Sequence, residues 1–461
     1  MSKDTRYTGR RNSMCELVFD DSEYVTETLI IDGEELKFRA FENIPYVTNP
    51  ADAELQRINL FVPEAYYEGK CIGKYSINNA PIFMPNTVGG YMPGKLTRPG
   101  VDWQGKANTI FKALLHGYVV AVAGVRGRGM TNEAGEYIGV APAVVCDMKA
   151  AVRFLRHNAD RIPGDVEKII TNGTSAGGAL SSIMGATGNH PDYEPYLKAI
   201  GAADERDDIF AASCYCPITN LDNADMAYEW EFKHELNDMT DKQKAMSAEL
   251  AKMFPAYLNS LGLKSKTGQA LTLDADGDGS FKEYVKSFVI KSANRQLDKD
   301  EDLSGLAWLI WENGLVKDID FDGYVAFRTR MKKTPAFDNT AMGTPENELF
   351  GTTDIKERHF TSFSCENSEC GGTMAEAQQI KMMNPMCYIR DDKAVKAKHY
   401  RIRHGAIDRD TSLAISAMLN AMLEEAGVDS ELFYPWGVWH SGDYDLEELF
   451  EWIDGVCKKE C

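Results

Sequence analysis

A serine, two aspartates and a histidine stand in the chain in the order and the company that acyl transfer needs. Ser175 lies in NGTSAGGALSS, Asn172 to Ser182, where the apolar run KIIT gives way to a helix-like pattern. Gly173-Thr174-Ser175-Ala176-Gly177 fits the G-x-S-x-G nucleophile elbow, a sharp strand-to-helix turn that pushes the serine out over a sheet edge. Bulky side chains there would collide with neighbouring backbone. The helix that follows aims unpaired N–H groups at developing negative charge. Taken alone, the same pentapeptide also fits a glycine-rich turn with an ordinary capping serine.

Two later segments decide between these readings. HGAID, ending in Asp408, follows a strand-like run, and His440 follows another in YPWGVWHSGDYDL. Serine, aspartate and histidine in that order, each at a strand end, is what an α/β-hydrolase requires. Between the last two, TSLAISAMLNAMLEEAG has helical periodicity, enough for one crossover between parallel strands. The remaining histidines are poorly placed for a base. His116, His157 and His190 lie on helix-like or loop segments around the elbow, and His399 and His404 precede the acid. The DRD segment offers both Asp408 and Asp410. Two residues apart in extended chain, they face the same way, so one could hold the imidazole while the other addresses substrate. The HG-x-x-D pattern favours Asp408 as the triad member. An oxyanion hole should join the N–H of Ala176 to one from the earlier loop Thr87-Val-Gly-Gly-Tyr91, through Gly89 or Gly90.

The elements that must carry these residues can be read in order. TLIIDGEELKFRAF is a hairpin about Asp32-Gly33, and INLFVPEAYY is a further strand. PIFMPNTVGG and GYVVAVAGVRGRG are apolar runs ending in glycine-rich loops, and VVCDMKAAVRFLRHN has helical spacing before the KIITNGT strand. Such alternation predicts a mostly parallel sheet covered by helices. After IFAASCYCPITN the chain turns charged and helix-like, as in DKQKAMSAELAKMFPAYL and GYVAFRTRMKK, until HYRIRHGAID and SELFYPWG resume the sheet. The expected fold is α/β, of the α/β-hydrolase type. Its catalytic core spans residues 1–219 and 396–461, with a large, mainly helical cap inserted at 220–395 and the substrate cleft between them.

Composition narrows the partners. A net charge of −20 over 461 residues repels phosphate, which sets nucleic acid and anionic membranes aside. No apolar run reaches the roughly 18 residues of a membrane span, and MSKDTRYTGRRNSMCEL lacks a signal-peptide core, so the expectation is cytoplasmic. Neither Cys365/Cys370 nor Cys457/Cys461 belongs to a four-ligand zinc pattern; free thiols are expected. DADGDGSFKEYV opens like an EF-hand loop, with Asp274, Asp276, Asp278, Ser280 and Glu283 as candidate calcium ligands. Its twelfth position is Val285 rather than glutamate, which leaves a weak structural calcium site or a metal-free Asx-rich turn. Catalysis itself requires no cofactor.

The chain also resembles the bacterial tannases, tannin acyl hydrolases of the intracellular type, over nearly its whole length. The resemblance is carried by NGTSAGGALSS, CPITNLDNADMAYEW, PAFDNTAMGTPENELFG, RIRHGAIDRDTSLA and WHSGDYDLEELF. It implies hydrolysis of galloyl esters by Ser175, Asp408 and His440, with the oxyanion held by Gly89 and Ala176. It further implies that Lys332, Glu346 and Asp410 grip the gallate hydroxyls, although Lys333 adjoins Lys332 in RMKKTPAFD. The rival readings are a feruloyl or other aromatic-acid esterase, a prolyl-oligopeptidase-type peptidase, and a silent binding protein on the same scaffold. No blade-like repeat supports the peptidase.

Overall fold

The computed structural model describes residues 17–458, so Cys461 and its pairing with Cys457 lie outside the described residues. Its frame is a nine-stranded sheet. The strands are β1 (Val25–Ile31), β2 (Glu34–Pro45), β3 (Arg57–Pro63), β4 (Pro81–Pro85), β5 (Val119–Ala123), β6 (Asp165–Thr174) and β7 (Ala211–Tyr215). A separate hairpin, β8 (Leu309–Glu312) and β9 (Leu315–Ile319), precedes β10 (His399–Arg403) and β11 (Asp429–Phe433). In the main sheet the order is β1-β2-β3-β5-β4-β6-β7-β10-β11.

The β1–β2, β2–β3 and β3–β5 pairings are antiparallel, and every later pairing in the main sheet is parallel. Asp32 and Gly33 join β1 to β2 with φ of 54° and 82°, the left-handed pair that matches strand twist in a two-residue hairpin. Covered by helices on its faces, the parallel part lies deep, and β5 and β7 are buried at every position. The helix Ala143–His157 packs so deeply that even Lys149 is buried, with its ammonium 2.7 Å from Asp207. This is an α/β-hydrolase fold, and β6, β10 and β11 all deliver their carboxyl ends to the same edge.

Between β7 and β10 the chain leaves the main sheet. The segment holds the helices Leu221–Phe232, Asp241–Ser260, Ser280–Leu297 and Phe321–Arg328, several shorter ones, and the β8–β9 hairpin. The helical reading of GYVAFRTRMKK holds only to Arg328. Thr329 takes φ 63°, and the N–H groups of Met331 and Lys332 donate instead to the Tyr228 hydroxyl at 3.3 and 3.0 Å. No helix among the described residues is long and apolar enough to cross a membrane. Cys365 and Cys370 are free thiols.

In the Asp-rich loop the candidate ligands are engaged with backbone N–H groups and nearby lysines. Asp274 Oδ1 accepts the N–H groups of Asp276 and Asp278, each at 3.0 Å, as an Asx turn does. Asp278 pairs with Lys282 at 2.7 Å and Glu283 with Lys286 at 3.0 Å. Asp276 gives its carbonyl to Lys233, and the Ser280 hydroxyl donates to the Ala270 carbonyl at 2.7 Å. Among the described residues, the four carboxylates do not form a group with ligand atoms within 4.8 Å of one another. The loop is a helix-opening turn.

Candidate active site

Ser175 stands between the end of β6 and the helix Ala176–Ala186, with φ 62° and ψ −123°. A non-glycine residue is rarely held there, and such strain persists only where the surroundings impose it. Here they do. The Ser175 N–H donates to the Tyr215 carbonyl at 3.0 Å, and its own carbonyl accepts from Ala179 at 2.9 Å. A Cβ on Gly173 would sit 2.4 Å from the Gly177 carbonyl oxygen, and one on Gly177 would sit 2.7 Å from that of Val88. Both glycines are therefore set by close backbone approach.

Asn86, directly after β4, locks the elbow to the loop that follows. Its amide donates to the Asn172 and Gly177 carbonyls at 3.0 and 3.1 Å, and its oxygen accepts from the Val88 N–H at 3.2 Å. Gly89 lies in that loop. Beyond it, the Tyr91 hydroxyl donates to the Ile218 carbonyl at 2.9 Å, and Arg128 Nε donates to the Gly90 carbonyl at 2.6 Å while its guanidinium pairs with Glu348. On the other side Ala176 opens its helix, where the first N–H groups lack intrahelical acceptors. The two predicted oxyanion donors thus sit on loops that are fixed to each other.

His440 Nδ1 lies 2.7 Å from Asp408 Oδ2; the aspartate is buried and the imidazole 25% exposed. With Nδ1–H donating to the carboxylate, Nε2 keeps its lone pair for a proton. Burial works against the Asp408 charge, yet His404 and His440 together hold its carboxyl far below the usual range. His404, poorly placed as a base, lies behind the acid: its Nε2 is 3.3 Å from Asp408 Oδ2 and its Nδ1 2.9 Å from Ser416 Oγ.

The inserted segment holds the acid loop from outside. Fully buried Arg328 donates to the Asp408 carbonyl and pairs with Glu231, which in turn accepts from the Ser412 hydroxyl and, at 2.8 Å, the Leu413 N–H. Tyr324 donates to the Ala406 carbonyl, and Tyr228 to that of Arg409 at 2.9 Å.

Cys216, at φ 34° just past β7, was not singled out by the sequence. Its thiol lies beside both the His440 imidazole and the Ser175 backbone, and it donates to the Ser441 carbonyl at 3.4 Å. The ligating atoms of Cys216, Asp408 and His440 fall within 4.8 Å of one another, a trio that could also hold a metal ion. Burial opposes charge on His440, but the hydrogen bond to the Asp408 carboxylate, and after it Cys216, outweigh it and push the imidazole above its ordinary value. Only neutral imidazole can accept a proton, so a raised value moves the acid limb of kcat/KM to higher pH. Cys216→Ala should return that limb toward 6.5, measured as the pH profile of kcat/KM. An unmoved limb would show that the thiol leaves the base untouched.

Lys332 Nζ lies 2.8 Å from Asp410 Oδ1 and 3.9 Å from the centre of the Phe337 ring, whereas Lys333 is exposed. Glu346, in the helix Pro345–Leu349, is buried. Burial raises its pKa, as does Asp410, while Lys332 and Arg128 act the other way. Tyr91 feels the Glu346 charge as well. The three predicted contact residues therefore form one electrostatic group, with the acid loop on one side and the Gly89–Gly90 loop on the other.

The BD-FAE family model matches residues 102–256. Over 56 residues, 12% of this chain and 14% of the other, the sequence is 41% identical to the esterase LipC of Mycobacterium tuberculosis. The tannase of Fusobacterium nucleatum is 47% identical and superposes with a TM-score of 0.92, covering 96% of this chain and 100% of that one. The chain belongs to the tannase family. A tannin acyl hydrolase solved in complex with ethyl gallate is 45% identical, with a TM-score of 0.92 over 96% of this chain and 99% of that one. The elbow falls inside the span matched by the BD-FAE model, whereas Lys332, Asp408 and His440 lie outside it.

Proposed function

We propose that this protein hydrolyses galloyl esters, releasing gallic acid through a galloyl-serine intermediate. The observation that carries the reading is the Asp408-Arg409-Asp410 loop. One carboxylate meets the His440 imidazole at 2.7 Å, and two residues on the other meets the Lys332 ammonium at 2.8 Å. A base and an ionic clamp are thus joined by one turn of chain.

His440, oriented by Asp408, removes the Ser175 proton as the oxygen attacks the ester carbonyl. The N–H groups of Gly89 and Ala176 hold the tetrahedral oxyanion. As the intermediate collapses, the imidazolium returns the proton to the leaving oxygen. Water, deprotonated by the same base, then splits the acyl-serine. Residues 220–395 act as a cap over the cleft and present Lys332 and Glu346 to the acyl ring. Gallate has three adjacent phenolic hydroxyls; carboxylates accept from them and the ammonium donates to them. The relative that binds ethyl gallate supports this choice of ring.

Methyl gallate, methyl ferulate and a simple alkyl ester assayed in parallel test the reading. A site built for the hydroxyls should favour methyl gallate by about 100-fold or more, since other acyl groups leave its polar groups unpaired. Equal rates on all three would replace the tannase reading with a general esterase. Asp410→Asn removes one charged hydrogen bond, and kcat/KM for methyl gallate should fall roughly 10- to 100-fold. Methyl benzoate, which lacks the hydroxyls, should lose far less.

A further inference from the structure

The loop that carries the base also carries an indole that this chemistry leaves unused. Trp439, next to His440, is 56% exposed, although its large apolar surface gains most from burial. It is not a loose side chain. The Arg409 guanidinium lies over its ring, 5.3 Å from the centroid, and is itself tied to Thr329 Oγ1. Phe327 and Met331, on either side of that threonine, are 49% and 48% exposed and extend the apolar rim. Phe327 packs on Trp308, which packs on Trp436 of the base loop.

The reaction fixes what can meet this rim. The oxygen that receives the proton from His440 must come within about 3 Å of its ring, and the neighbouring Cα lies about 3.8 Å along the chain. The acyl ring is drawn toward Lys332, Asp410 and Glu346. A leaving group larger than methanol then emerges beside residue 439. We propose that Trp439, backed by Arg409, is a stacking subsite for an aromatic leaving group, the polyphenol of esters whose alcohol part is itself a phenolic ring. This rests on the galloyl-ester reading above. A flat electron-rich ring suits both offset stacking on the indole and the adjacent cation.

The test compares wild type, Trp439→Ala and Trp439→Phe on methyl gallate and on a galloylated catechin, with free catechin as inhibitor of methyl gallate hydrolysis. In the alanine variant the ratio of kcat/KM for the catechin ester over the methyl ester should fall about tenfold, and catechin should inhibit less. Phenylalanine should keep most of both. A ratio and an inhibition constant that stay the same in all three proteins overturn the subsite. So does an equal loss on both esters, which would mark a displaced His440. A galloyl-glucose ester that loses more than the catechin ester overturns the aromatic assignment. A wild type inactive on both gallate esters overturns the galloyl reading and this subsite with it.

Discussion

Ser175→Ala lowers kcat on methyl gallate by about 10⁴-fold or more while the protein stays folded. In the proposed mechanism the serine supplies the attacking oxygen, and alanine has none to form the acyl bond. Serine and alanine bear the same Cβ at φ 62°, so the replacement neither adds nor relieves backbone strain. Its thermal midpoint should match wild type, and titrated gallate should still bind, because Lys332, Glu346 and Asp410 are intact. Ser175→Gly, equally inactive, removes the Cβ and should be more stable than the alanine variant by about 1 kcal/mol. Retention of several per cent of turnover by the alanine variant would show that the nucleophile lies elsewhere.

Arg328→Met is expected to lose about 3–5 kcal/mol of stability, the range for removing one partner of a buried ion pair. Both side chains of the Arg328–Glu231 pair are fully buried. Methionine fills much of the volume but leaves the Glu231 carboxylate without its cation and the Asp408 carbonyl without its donor. The denaturant midpoint should fall with little change in slope. Turnover should fall as well, because the displaced loop carries the acid that orients His440. Adding Glu231→Gln removes the stranded charge and should restore part of the stability, as coupled neighbours do in a double-mutant cycle. A single variant within about 1 kcal/mol of wild type would remove this pair from the account of the acid loop.

What the sequence made legible was local. The elbow, the Asp32-Gly33 turn and the strand-end positions of Asp408 and His440 each announce themselves within a few residues, through glycines or apolar runs. Glu231 and Arg328 carry no such local signal, since their partners stand far along the chain, in the 408–413 loop. Cys216 and His404 were hidden for the same reason: one was a cysteine in a strand-like run, the other a histidine ahead of the acid. The part of Asn86 could not be read locally, because its three backbone partners include Asn172 and Gly177. The Asp-rich loop shows the reverse case. The local pattern DADGDG was right for ligands, but Lys233, Lys282 and Lys286 reach the same groups once the helices pack. The end of the Phe321–Arg328 helix was likewise decided by a distant hydroxyl, that of Tyr228.

The buried grip of Tyr228, Glu231, Tyr324 and Arg328 on Ala406 to Leu413 bears on how such enzymes can be recombined. The stretch between β7 and β10 is therefore not an exchangeable cassette. Grafting it onto a related scaffold without the matching 406–413 stretch would strand two charges in the interior and leave the host's own aspartate unmoored. Chimeras should keep these two regions from a single parent.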